Sequence, residues 1–354
     1  MDLIQLAAQE SQRLWVVEDE SVNMTTVADG VLEACAHRDL AKGLLEHLAK
    51  TQPSTLIVAG YSQPAMRAAV SWGNHNRIPV VLLSDSQYCD RPRNLLLEAL
   101  KGIWIRRHCD AAFVAGGGAA HYLEKLGFPR HKIWRGYDVV DNHYFSKASD
   151  WVKRNEIHER GRLGLPERFF LYVGRFSQEK NLSRLLESFS LYQNASLSEP
   201  LSLVLVGSGD QELALRDKAK KLGLENIVWS GFKQISELPA YYSLASALIL
   251  PSLSEPWGLV INEAMACGLP ILASSQCGAV FDLVFPGVNG FVFNPWDSQS
   301  ISQAMALFSQ CSGNRRRGMG QASQRIVQSF TPENWAMALV DCIAQTNWSF
   351  KTIL

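Results

Sequence analysis

No stretch of this 354-residue sequence is long and apolar enough to span a bilayer; the longest apolar runs, such as SALILP (246–251) and PVVLLS (79–84), are strand-sized. The opening residues MDLIQLAAQESQ carry neither a basic cluster nor an A-x-A-like site, so no secretory signal is expected. Cysteine is sparse: seven residues, scattered and never in C-x-x-C spacing. That argues against a disulfide framework or a zinc site, and for reduced thiols in a cytoplasmic protein. His121 and His143 have no partners at metal-ligand spacing and read as structural. There is no excess charge of one sign, with 34 Lys+Arg against 34 Asp+Glu, so no global field draws in nucleic acid. The NRRRG run at 314–318 reads as a solvated helix end. Internal repeats and low-complexity tracts are also missing.

What is present is an ordinary globular composition, 47% hydrophobic and 19% charged, at a length that fits two domains with full cores. Short apolar runs alternate with helix-period segments, the pattern of parallel sheets covered by helices. TLIVAGY (55–61), PVVLLSDS (79–86) and AAFVAG (111–116) read as strands, with helices between and after them. The polar stretch 146–166 reads as a linker. A second series then follows: strands RFFLYVG, LSLVLVG, NIVWSGF, ASALILP and PILASS, with helices NLSRLLESFSLY, QELALRDKAKKLG and GLVINEAMACG among them. The expected architecture is α/β, two Rossmann-like doubly wound domains facing a cleft. The expected divisions are 1–150, 151–331 and a C-terminal helix at 332–354 that can return to the first domain. The N-terminus reads as a helix, MDLIQLAAQESQ, followed by RLWVVEDE as a second strand, which leaves the first domain without its opening strand.

Three stretches carry chemistry. In SEPWGLVINEAMACGLP (254–270), Glu255 and Glu263 flank a Pro-x-Gly turn that begins a helix near Gly258. Unpaired backbone N–H groups at a helix start suit a phosphate, and a carboxylate can accept two hydrogen bonds from a vicinal diol. The plainer alternative is a surface glutamate and an exposed helical one. In RFFLYVGRFSQEKNLSRLLESF, Arg175 follows a strand and Lys180 precedes a helix, placed either to neutralise a diphosphate or as an ordinary basic loop. In LVLVGSGDQ, the turn Gly207-Ser208-Gly209 lets backbone approach a ligand closely, or is a plain tight turn.

In this order the three resemble the C-terminal domain of the family-four retaining glycosyltransferases (glycosyl transferases group 1), which have the GT-B fold. The family pattern E-P-x-G-L…E-A-M-A-x-G-x-P-V is matched almost letter for letter at 255–271, and V-G-R…E-K and L-V-G-x-G-x are matched at 173–180 and 205–210. GYDVVDNHYF (136–145) is similar to the stretch closing the family's first domain. The resemblance implies that Glu263 holds the donor ribose and Glu255 the hydroxyls of the transferred sugar. It further implies that Arg175 and Lys180 clamp the leaving diphosphate, that the backbone at Gly258, Leu259 and Val260 adds amide donors, and that Phe232 lies near the base. Gly207 belongs to the same donor-binding set. The implied reaction moves a sugar from a nucleotide-diphosphate donor to an acceptor hydroxyl with retention, without metal or cofactor. The absence of an Asp-x-Asp motif accords with that. The acceptor would be a carbohydrate, a lipid-linked molecule or a small glycoside. A nucleotide-sugar-binding protein with little activity, or a GT-B epimerase or phosphorylase, are the competing readings.

The acceptor side departs from the family. Many relatives carry a histidine after the strand corresponding to PVVLLSDS, where this chain has Ser84, Asp85 and Ser86. Asp85 and Ser86 are acceptor-side candidates, and Asp85 reads equally as a turn or helix-capping residue. RPRNLLLEALKGIWIRRH (91–108) puts basic residues on an apolar helix. Such a helix either covers the sheet or touches a membrane-bound lipid acceptor, a peripheral contact at the inner membrane face.

Overall fold

A computed structural model describes residues 2–9, 24–90, 93–195 and 200–353. Among the described residues, twelve strands, all pairing in parallel, form three sheets. β1 (Leu3–Gln9) and β2 (Met24–Val31) pair with each other. β3 (Leu56–Ala59), β4 (Val80–Ser84), β5 (Ala111–Val114) and β6 (Ile133–Arg135) follow one another across a four-stranded sheet. The six-stranded sheet has the order β12-β11-β10-β7-β8-β9. Its strands are β7 (Phe169–Val173), β8 (Ser202–Val206), β9 (Ile227–Gly231), β10 (Ala247–Leu250), β11 (Ile271–Ser274) and β12 (Gly290–Phe293).

Near-continuous apolar strands are what a parallel sheet covered on both faces requires. Every residue of β7, β10 and β11 is buried. The helix Leu182–Ala195 lays Leu182, Leu185, Leu186 and Phe189 inward at helical spacing. The last helix, Pro332–Ile353, leaves the second half and packs on β5 and β6 of the first. Leu339 and Cys342 join Val81, Ala111 and Phe113 in one apolar cluster, while Trp134 Nε1 donates to Asp341 at 2.8 Å and Thr55 to Asn347 at 3.1 Å. The return of this helix to the first domain is therefore as expected.

Two expectations are corrected. The opening residues read as a helix are the strand Leu3–Gln9, with Leu3 paired to Met24 and Ile4 to Thr25, and Gln5 Nε2 donating to Thr26 Oγ1 at 2.7 Å. The helix propensity of Leu, Ala and Gln is a weak preference that the β2 edge overrides. RLWVVEDE (13–20), read as a strand, lies outside the described residues. The segment read as a linker is helical over Asn142–Arg154 and Glu156–Leu163. Its polar composition hides a stripe, Phe145, Ser149 and Val152, that docks on the second half. Phe145 meets Tyr242 edge to face at 6.2 Å, and Ser149 Oγ and Lys153 Nζ both donate to the Cys267 carbonyl.

Candidate functional site

The order of the six-stranded sheet reverses between β7 and β10. From β7 the chain moves outward through β8 and β9, then returns to β10 and moves the other way. Loops leaving the carboxyl ends of those two neighbours part in opposite directions and open a crevice, where ligands bind in sheets of this kind. Arg175 and Lys180 lie on the loop after β7, and Glu255 and Gly258 on the loop after β10. The loops are tied together. Leu253 N–H donates to the Glu179 carbonyl at 2.8 Å, and the buried Asn181 amide donates to the Pro251 and Pro295 carbonyls at 3.0 and 2.8 Å.

Glu255 has its partner across this crevice. Lys180 Nζ bonds its carboxylate, which also accepts from Ser252 Oγ at 3.1 Å. Both ionic side chains are largely buried, 14% exposed for Lys180 and 12% for Glu255. A charge so enclosed is retained only when paired and hydrogen-bonded. Arg175 is half exposed instead, with its guanidinium 3.3 Å from Glu179. Burial would raise the Glu179 pKa, but the 2.6 Å bond from Ser177, a bond from its own backbone and the Arg175 charge hold it below the usual range.

Glu263 sits in the second turn of the helix Leu259–Ala266 and is buried. It accepts from the Tyr242 hydroxyl at 2.6 Å. Burial raises its pKa to about 6, with the Tyr242 bond acting in the opposite direction. Gly258, at φ +98°, turns the chain into this helix, and a Cβ there would stand 3.0 Å from Cys277 Sγ and 3.1 Å from Glu255 Cγ. No side chain caps the helix start, where Leu259 and Val260 supply its first amides. Tyr242 and Ser252 were not apparent as site residues in the sequence, because each lies far along the chain from the carboxylate it serves or outside any motif.

Gly207, at φ +140°, approaches something closely, and that something is protein: its Cβ would fall 1.9 Å from the Gly174 carbonyl of the neighbouring loop. Gly209 would meet the Phe176 carbonyl at 2.4 Å. The two glycines let the loop after β8 lie flat on the loop carrying Arg175. Phe232 follows the edge strand β9 and is 40% exposed.

The first half contributes the opposite wall. Gln87, three residues beyond β4 and fully buried, donates through Nε2 to the Glu255 carbonyl at 2.9 Å. The strand ends of the two large sheets therefore face each other. Asp85 is exposed and Ser86 half-buried on the same loop. The nearby helix Leu95–His108 is capped by Asn94, which accepts from the amides of Leu96 and Leu97. Asp138 was not singled out by the sequence beyond its place in GYDVVDNHYF. Burial first, and the Asp85 charge second, raise its pKa to about 7. Its Oδ2 is buried without a hydrogen-bond partner. Asp282 from the second half accepts from Gly117 N–H at 2.7 Å, closing another contact between the walls.

Two Rossmann-like halves with facing strand ends and a C-terminal helix that crosses back define the GT-B class of fold. HepE of Anabaena, solved with UDP and glucose, has this fold at TM-score 0.70 and 17% identity, over 91% of each chain. Residues 153–326, which include every second-half residue of the site, match the family described as glycosyl transferases group 1. An uncharacterised glycosyltransferase of Methanocaldococcus jannaschii is 27% identical over 248 residues, 69% of this chain and 62% of that protein. Mannosylfructose-phosphate synthase of Agrobacterium fabrum is 31% identical over 212 residues, 57% of this chain and 45% of that protein. The matches thus span about half to three fifths of these relatives' length. No helix among the described residues is long and apolar enough to cross a membrane.

Proposed function

We propose that the protein is a retaining glycosyltransferase that moves a sugar from a nucleotide-diphosphate donor to an acceptor hydroxyl, in the synthesis of a polysaccharide, a glycolipid or a small glycoside. The observation that carries this reading is the crevice between β7 and β10, where Lys180, Glu255 and the uncapped helix start at Gly258 converge. The donor diphosphate lies over that helix start and draws Lys180 and Arg175 to its oxygens. Lys180 then exchanges part of its bond to Glu255 for the phosphate, and Glu255 is released to accept from hydroxyls of the transferred sugar. Glu263, steadied by Tyr242, takes the ribose hydroxyls, and Phe232 stands beside the base.

In the transfer itself, the bond between the anomeric carbon and the diphosphate oxygen breaks as the acceptor oxygen approaches on the same face. The departing diphosphate takes up the acceptor proton. The charge that grows on it meets two cations and two backbone amides already in place, which is preorganised electrostatic stabilisation. In this account the cations and the helix start do the work a metal ion performs elsewhere, and no cofactor takes part. The acceptor enters against Asp85 and Ser86.

The test is transfer from UDP-, GDP- and ADP-sugars to a panel of sugar, lipid-linked and small-molecule acceptors, with the anomeric configuration of the product read by proton NMR. Retention and activity undiminished by EDTA are expected. An inverted linkage would overturn the mechanism, and full loss in EDTA restored by magnesium would overturn its metal independence.

A further inference from the structure

The sequence left open whether the helix Leu95–His108 covers the sheet or meets a membrane. Leu95, Leu96, Leu97, Leu100 and Ile103 are each more than half exposed, within nine residues of chain. Exposed apolar side chains scattered singly are ordinary, whereas a contiguous group of this kind marks a contact surface. The spacing of Leu96, Leu100, Ile103 and Arg107 aligns them along one face of the helix, with exposed Ala99 and Arg106 beside them.

The opposite face is fixed to the protein by specific contacts, so the leucines do not turn inward. Glu98 accepts from Lys101 Nζ and from the Tyr122 hydroxyl, and Arg93 donates to Tyr122 at 2.9 Å. Gly102 lets the helix approach closely, since a Cβ there would be 2.5 Å from the Leu126 carbonyl. Ile105 is fully buried.

We infer that this face docks the protein on an anionic lipid surface. The charges bordering the leucines decide the occupant. Arg106, Arg107 and Lys125 are exposed, and Lys125 stands 4.0 Å above the exposed Tyr88 ring. The nearby carboxylates are already taken: Glu98 by Lys101, Asp90 by Arg93 and Glu124 by Arg130. A chain with no net charge thus presents one apolar patch rimmed by cations. Apolar side chains, an amphipathic ring and a cationic rim fit the boundary between acyl chains and acidic headgroups. A second copy of the same face would bring like charges together. The helix begins at Leu95, the next described helix after the Asp85–Gln87 loop, so docking sets the acceptor wall of the cleft beside the bilayer. The docking itself does not depend on the sugar-transfer reading, and its test uses neither donor nor acceptor.

The experiment is co-sedimentation of the full chain with vesicles of phosphatidylcholine mixed with phosphatidylglycerol, and with vesicles of phosphatidylcholine alone. Binding is expected to the first and far less to the second, weakening as salt is raised. The triple variant Leu96→Ser, Leu100→Ser, Ile103→Ser should lower the partition coefficient on the order of a hundredfold. The double variant Arg107→Glu, Lys125→Glu should lower it about tenfold or more. Circular dichroism and the melting temperature serve as fold controls and should be unchanged. Equal binding by the folded triple variant, or no binding of the native chain to the acidic vesicles, overturns the inference. So does a native dimer, by light scattering, that the triple variant converts to monomer.

Discussion

Glu255 and Asp138 lie on opposite sides of one cleft, and their surroundings differ in kind. On the side of the six-stranded sheet, Glu255 is paired with Lys180 and Ser252, Glu263 with Tyr242, and Glu179 with Ser177 and Arg175. On the side of the four-stranded sheet, Asp138 keeps a buried oxygen without a hydrogen bond and faces the charge of Asp85. The first arrangement holds polar groups ready, so that a charged ligand need only exchange partners. The second holds a carboxyl that stays protonated until about pH 7. A buried polar group left unsatisfied in this way lowers stability. One wall is organised before any ligand arrives, and the other is not.

The largest expected effect breaks the organised wall. Lys180→Met should lower turnover roughly a hundredfold, the usual cost of losing one preorganised group facing developing charge. Donor affinity should move much less, and separate kcat and KM values check this. The variant also leaves the enclosed Glu255 carboxylate with Ser252 alone, and should lose about 3 kcal/mol of stability in urea unfolding. Arg175→Lys should recover only part of the native rate, because an ammonium cannot form the planar fork.

Next in size is Glu263→Gln, expected to weaken nucleoside diphosphate binding by about 1–3 kcal/mol at pH 8. Native Glu263 takes up its proton near pH 6, so the difference should shrink by pH 5. The same group makes stability depend on pH. Its native pKa is raised above the ordinary 4.5, so between pH 4.5 and 6 the native state holds more protons than the unfolded chain. Stability therefore falls as pH rises through that window, and the glutamine variant should flatten the slope in thermal melts across it.

Removing the carboxylate of the unorganised wall should stabilise the protein, where Lys180→Met destabilises it. Asp138 titrates near pH 7 rather than at the ordinary 3.8, so stability falls as pH rises from about 4 to 7 and stays lowered above that. Asp138→Asn should raise stability at pH 8 and change it little at pH 4. Melting curves at the two pH values check it. Smallest is Gln87→Ala, which removes one bond between the walls and should lower the melting temperature by the equivalent of about 1 kcal/mol.

The same contrast runs through what could be read from the sequence. The second half was legible because its strands are apolar throughout and its motifs are continuous. Phe169–Val173, Ala247–Leu250 and Glu255–Glu263 each announce themselves within one short window. The first half was less so. Leu3–Gln9 is built of helix-forming residues, and only its pairing with Met24–Val31 makes it a strand. The docked helix Asn142–Arg154 reads as polar because its buried stripe is only Phe145, Ser149 and Val152. Partnerships made across the fold, such as Lys180 with Glu255 or Tyr242 with Glu263, depend on strand order, which no local pattern specifies. Gly207 illustrates the same limit, since close approach was foreseen but not that Gly174 would be the neighbour.

The central claim is that the crevice between β7 and β10 is organised for a nucleoside diphosphate through Glu263 and Lys180. The most direct measurement is calorimetric titration of UDP, GDP and ADP into the native chain, Glu263→Gln and Lys180→Met at pH 8. At least one of the three should bind the native chain. Glu263→Gln should weaken that nucleotide about tenfold or more, and Lys180→Met should weaken it distinctly less. Absence of binding by all three nucleotides, or equal affinity for native chain and Glu263→Gln, would contradict the account.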